Sequence, residues 1–171
     1  MNFEIIDFHT HPYYELCDNI SQHKEYFTYK NTDFPLELSA IGITKFAGTV
    51  LKKDEGLSSM IRANDEALEL RQMYGDAYIP GFTVDARYPE ESIKEAIRAK
   101  NNGTNLIGEL VPGHYAWKYS DKGFSEILDF LNGKNYVVSL HSTDDLSFMA
   151  SLAKQYKDIN FVFAHPGELK R

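Results

Sequence analysis

A chain of 171 residues is long enough for one domain with a sizeable core and short for two. Hydrophobic residues at 43% and charged residues at 25% match ordinary globular usage, and a formal net charge of −7 disfavours a phosphate backbone as partner. Cys17 is the single cysteine, which excludes an intrachain disulfide and a cysteine-rich zinc site and makes a reducing cytoplasm the expected compartment.

The N-terminus, MNFEIIDFHTHP, has neither a basic start nor an apolar stretch long enough for a secretion signal. No later run approaches the roughly 18 apolar residues of a membrane span. Phe3 to Phe8 instead reads as a first strand that ends in the loop His9-Thr10-His11-Pro12. From Pro12 to Asp33 the sequence lacks periodicity and reads as a long loop. Pro35 to Ala40 predicts a brief helix stopped by Gly42, and Ile43 to Leu51 a second strand.

Between Ser58 and Tyr74, the residues Met60, Ala63, Ala67, Leu70 and Tyr74 recur three or four apart and predict a helix with one apolar stripe. Ala77 to Val84 predicts a third strand. Pro89, Glu90 and Glu91 then open a helix whose inner face is read as Ile93, Ala96 and Ile97, closed by Asn102-Gly103. Asn105 to Val111 is a fourth strand, and Phe124, Ile127, Leu128 and Leu131 mark the following helix, closed by Gly133. Tyr136 to Leu140 is a fifth strand with His141 at its end. Ser142, Thr143 and Asp145 offer caps for a helix through Met149, Leu152, Ala153 and Tyr156, and Asn160 to Ala164 is a sixth strand ending in His165.

Repeated strand-then-helix units with apolar strands predict parallel α/β architecture. No GxGxxG or phosphate-binding loop follows any strand, so a TIM-type (β/α) barrel is preferred to an open nucleotide-binding sheet. In such a barrel the C-terminal strand ends converge on one face. His9, His11, Glu109, His141 and His165 all fall at those ends. His9 and His11 differ by two, so on a strand they point to the same side and can share one ion. A lone strand-end histidine is more often a hydrogen-bonded structural residue; four in register favour a divalent metal. Zinc is the first expectation, with manganese, iron or nickel also compatible. Glu109 reads equally as a ligand and as an acceptor of cap hydrogen bonds. Tyr13, Tyr14, His114 and Trp117 lie in loops that can wall a substrate site. Arg87 can clamp a substrate carboxylate or form a salt bridge at a helix start.

At these residues the chain resembles the amidohydrolase superfamily. Asp7, His9 and His11 match its D-x-H-x-H-like first strand, His141 and His165 its fifth- and sixth-strand histidines, and Glu109 its fourth-strand metal position. ANDEAL from Ala63, GFTVDARYP from Gly81 and IGELVP from Ile107 look similar to the branch that holds amidohydrolase-related hydrolases and non-oxidative decarboxylases. The resemblance implies a metal-dependent hydrolase in which activated water attacks a small carbonyl-containing substrate, with decarboxylation on the same fold as the alternative. It also implies an eighth-strand Asp as ligand and proton acceptor. That Asp has no counterpart here, so no catalytic residue is assigned, and the sequence is expected to carry about six of the eight barrel units, with activity belonging to a longer form. A TatD-like nuclease or a histidinol-phosphatase-type phosphoesterase also begins with His-x-His, though the acidic balance disfavours the nuclease. The last alternative is an inactive metal-binding fragment whose open sheet edges pair with another copy.

Overall fold

The computed structural model describes residues 4–13, 33–142 and 146–165. Six strands, β1 (Ile5–Thr10), β2 (Ile43–Thr49), β3 (Tyr78–Gly81), β4 (Leu106–Leu110), β5 (Val137–His141) and β6 (Asn160–Ala164), alternate with helices. The helices are α1 (Phe34–Ala40), α2 (Leu57–Tyr74), α3 (Pro89–Asn101), α4 (Lys122–Leu131) and α5 (Leu146–Gln155). All paired strands are parallel, in the orders β1-β2-β3 and β4-β5-β6. A parallel bridge from Phe82 to Ile107 joins the two groups, held by Phe82 N–H to the Leu106 carbonyl at 3.0 Å and Gly108 N–H to the Phe82 carbonyl at 2.8 Å. The result is a six-strand arc of a TIM-type barrel, which brings the C-terminal strand ends to one face.

The helices follow the sequence pattern with one exception. In α2 the predicted stripe Met60, Ala63, Ala67, Leu70 and Tyr74 is buried, and from Ala63 onward it packs with Phe46, Val50 and Tyr78 as one part of the core. Phe124, Ile127, Leu128 and Leu131 of α4 are fully covered and join a larger cluster with Ile107, Val138 and Leu140. Gly103 (φ +80°) and Gly133 (φ +73°) take the left-handed conformation just past the ends of α3 and α4, as their helix-stop reading requires. In α3, however, the buried face is Ser92, Ala96 and Ala99, and Ile97 is exposed. The side chains of Glu95 and Arg98 are drawn to Asn64 and Asp65 of α2. Those polar ties to α2 accompany a rotation of α3 away from the face that Ile97 implied.

β3 is also shorter than Ala77 to Val84. Pro80 has no N–H to donate, and beyond Phe82 the amide of Asn64 takes over the ladder. Its oxygen accepts from Thr83 N–H at 2.7 Å and its nitrogen donates to the Thr83 carbonyl at 3.1 Å. β1 runs on through His9 and Thr10, two residues past the end predicted at Phe8. Most of the long loop read from Pro12 to Asp33, with Tyr14 and Cys17, lies outside the described residues, as do the proposed caps Thr143 and Asp145.

Candidate metal centre

Alternation along β1 sends Asp7, His9 and His11 toward the interior of the arc, and β4 delivers Glu109 to the same place. Glu109 is buried, and four imidazoles converge on its carboxylate. His9 Nε2 and His11 Nε2 each lie 3.0 Å from Oε2. His141 Nδ1 is 2.9 Å from Oε1, and His165 Nε2 is 3.7 Å from the same oxygen. The rings touch edge to face in sequence around the carboxylate, with centroid separations of 5.2 Å (His11 to His9), 4.5 Å (His9 to His165) and 4.9 Å (His165 to His141). All five sequence-assigned strand-end residues therefore meet at one point.

The electrostatics follow from this arrangement. Burial pushes the Glu109 carboxyl upward, but hydrogen bonds from His11 and His9, with their charge, outweigh it and hold the group well below the usual carboxylate range. The hydrogen bond to Glu109 raises His9, against partial burial that lowers it, and the charges of Glu109 and Asp7 add to the rise. His11 is more constrained: its Nδ1 lies 3.0 Å from the Thr49 carbonyl. A carbonyl oxygen only accepts, so Nδ1 carries a hydrogen and Nε2 is left facing a carboxylate. A cation seated between the two could take the Nε2 lone pair and a carboxylate oxygen together.

The donor set fits a divalent ion. One ligand atom each from His9, Glu109 and His165 lies within 4.8 Å of the others among the described residues, and imidazole with carboxylate suits zinc, manganese, iron or nickel. His165 itself holds φ +56°, a conformation uncommon outside glycine and concentrated at functional sites.

Of the expected substrate-wall residues, Trp117 lines a cavity, and both it and Tyr13 are packed into the structure. Tyr13 and Trp117 are only 8% and 4% exposed and do not stand open in solvated loops. Tyr13 lies near enough to Tyr74 to help raise its phenol, and Trp117 packs on Tyr119 and Phe124 at centroid distances of 5.7 and 5.3 Å. The cause is an alternation in the segment after β4. Tyr115, Trp117 and Tyr119 turn inward while His114, Ala116 and Lys118 turn out, so His114 is exposed. Arg87 forms the salt bridge that its position allowed. Its guanidinium bonds both oxygens of buried Asp85 (Nη2 to Oδ2, 2.5 Å) and both of Asp54 (Nη1 to Oδ2, 2.9 Å), which raises it further above its ordinary value.

Two residues that the sequence analysis did not single out complete the surroundings. The Tyr119 hydroxyl lies 2.8 Å from the Leu110 carbonyl and 3.1 Å from that of His141, tying together the ends of β4 and β5. Thr49 touches both His11 and Glu109. Only the alternation of aromatic residues after β4 hinted at Tyr119. A cavity of about 380 Å³ is walled by Trp117, Tyr119 and Phe148, with Lys118 and Ser120 at its polar side.

Comparison with known proteins places this geometry in context. The profile of the Amidohydrolase family matches residues 6–171. No curated protein matches the sequence significantly. Among solved structures, 5-carboxyvanillate decarboxylase from Novosphingobium aromaticivorans, with bound manganese, superposes at a TM-score of 0.67 with 17% identity, over 90% of this chain and 56% of that one. A TIM-barrel protein from Bordetella bronchiseptica gives 0.70 at 14% identity, over 95% and 67%. The 2,6-dihydroxybenzoate decarboxylase from Rhizobium gives 0.62 at 13%, over 96% and 66%. The chain thus spans a little over half the length of the first of these.

Proposed function

The chain belongs to the amidohydrolase family, and from that premise we propose that the Glu109 cluster holds a divalent cation for chemistry on a small carbonyl- or carboxyl-bearing substrate. The convergence of four imidazoles on one buried carboxylate carries this reading. His9, His11, Glu109 and His165 would hold the ion, with His141 at its margin. When bound, such an ion supplies a Lewis acid that polarises a substrate oxygen and makes water a better nucleophile near neutral pH. The chain's own residues do the rest: Glu109 offsets positive charge, and Tyr119 and Thr49 hold the strand ends in place.

Hydrolysis is the reading that the sequence favours. A second reading, non-oxidative decarboxylation of an aromatic acid, has its own support. The cavity in the segment after β4 is mainly apolar and aromatic with one cationic side chain, its volume falls in the usual ligand range of roughly 300–1,000 Å³, and manganese-bound decarboxylases are among the structures of like fold. The test is metal content by mass spectrometry of the purified chain and its His9→Ala, Glu109→Gln and His165→Ala variants. Metal-loaded protein is then assayed for release of carbon dioxide from hydroxybenzoic acids and for ester or amide hydrolysis. Near-stoichiometric metal in the wild type that the variants lose supports the centre, and the assay that responds selects the reaction. A folded wild type that takes up no metal overturns the reading.

A further inference from the structure

Thr49 closes a ring of contacts around the centre. Its carbonyl accepts from His11 Nδ1 at 3.0 Å, His11 Nε2 lies 3.0 Å from Glu109 Oε2, and the Thr49 hydroxyl donates to the Glu109 carbonyl at 3.1 Å. The residue is fully buried. β2 and β4 are not neighbours in the arc, so this hydroxyl reaches across β3, and the reach depends on what β3 places opposite. Thr49 pairs with Gly81. A Cβ at Gly81 would lie 3.0 Å from Thr49 Cγ2 and 2.2 Å from the Gly108 carbonyl, so a larger residue there would crowd the gap that the hydroxyl spans.

From this we infer that Thr49 is a positioning residue: it fixes the Nδ1–H tautomer of His11 and the placement of Glu109, so that His11 Nε2 and the carboxylate present their lone pairs to one cation. The inference rests on the metal reading above. Outer partners of this kind set the orientation and basicity of ligands, and their loss typically costs about 10- to 100-fold in metal affinity. Valine at position 49 keeps the β-branched shape and removes the hydroxyl, whereas serine keeps the hydroxyl and removes a methyl.

The experiment measures Mn²⁺ affinity by calorimetry, and the His11 ring nitrogens by two-bond ¹H–¹⁵N correlation in metal-free protein, for wild type, Thr49→Val and Thr49→Ser. Thr49→Val is expected to weaken Mn²⁺ about 10- to 100-fold through the lost contact to Glu109, while the His11 signals keep a single Nδ1–H tautomer because the backbone carbonyl at position 49 remains, with Thr49→Ser close to wild type in both. Wild-type affinity in Thr49→Val, or wild-type His11 signals that are not those of an Nδ1–H tautomer, overturns the inference. If wild type binds no Mn²⁺, the metal reading fails by itself, and the ring signals alone decide for or against Thr49. Should Thr49→Val not fold, Thr49→Ala carries the same comparison.

Discussion

His9 and His165, from the first and last described strands, face each other with ring centroids 4.5 Å apart and both Nε2 atoms turned to Glu109. The curvature of the arc thus joins residues from opposite ends of the sequence into one donor set. Removing either should cost more in Mn²⁺ affinity than the about 10- to 100-fold expected of an outer partner. Calorimetric titration of His9→Ala and His165→Ala checks this, and His114→Ala, an exposed loop histidine, serves as the control with unchanged affinity.

Glu109 is the acid on which these imidazoles converge, so Glu109→Gln isolates charge from shape. The amide still fills the site but cannot balance a cation, and metal uptake should be abolished. In the metal-free variant, His9 should titrate nearer its ordinary value, because its hydrogen bond to the carboxylate is the largest cause of its rise. Proton NMR titration of the His9 ring in wild type and variant reads this. An unmoved His9 would show that another group sustains it.

The same two shifts set a pH window for the metal-free chain. His9 is raised above 6.5, so its contribution to stability is complete below 6.5 and is lost as pH rises through its folded value. Glu109 is lowered from 4.5, so its contribution is complete above 4.5 and is lost as pH falls through its folded value. Thermal melting after chelation should therefore be highest between 4.5 and 6.5 as far as this cluster contributes. Metal uptake should show the opposite trend at the upper end, strengthening as His9 gives up its proton. A melting temperature that climbs steadily from pH 6 to 8 without metal would contradict the assignment.

How much of this was legible in the sequence depends on where each signal resides. His9, His11, Glu109, His141 and His165 were legible because strand ends in a parallel barrel share one face, so position along the chain implies position in space. The stripe of α2 was legible for a similar reason, since period alone defines a helix face. Thr49 was not, because it acts on His11 through a backbone carbonyl that every residue carries, and its hydroxyl matters only once Gly81 opens the way to β4. Tyr13 and Trp117 read as loop residues, yet their burial was decided by the inward alternation after β4 and by packing against Tyr74, Tyr119 and Phe124.

Gly81→Ala tests the crowding between β2, β3 and β4. The added Cβ would lie 2.2 Å from the Gly108 carbonyl, a contact that only backbone movement relieves. Overpacking of this kind costs about 1–3 kcal/mol. For a chain of this length each kcal/mol lowers the melting temperature by roughly 2–4 °C, a loss that calorimetry resolves. Mn²⁺ affinity should fall in the same variant, because the displaced segment carries Glu109. Full stability would mean that the strands adjust without cost.

Arg87 distinguishes a structural ion pair from a substrate clamp. Its fork is filled by Asp85, which is 2% exposed, and by Asp54, so the structure predicts that Arg87→Ala destabilises the fold by leaving Asp85 without its partner. Breaking a buried pair costs about 3–5 kcal/mol, and partial exposure of Arg87 reduces this to about 1–3. Arg87→Lys should recover little, since an ammonium cannot bridge two carboxylates with the same geometry. Mn²⁺ affinity should stay within about twofold of wild type, as expected of a site that shares no partner with the metal cluster. An unchanged melting temperature together with a raised KM for a carboxylate substrate would instead assign Arg87 to the substrate, and would require the pairs with Asp54 and Asp85 to open when substrate binds.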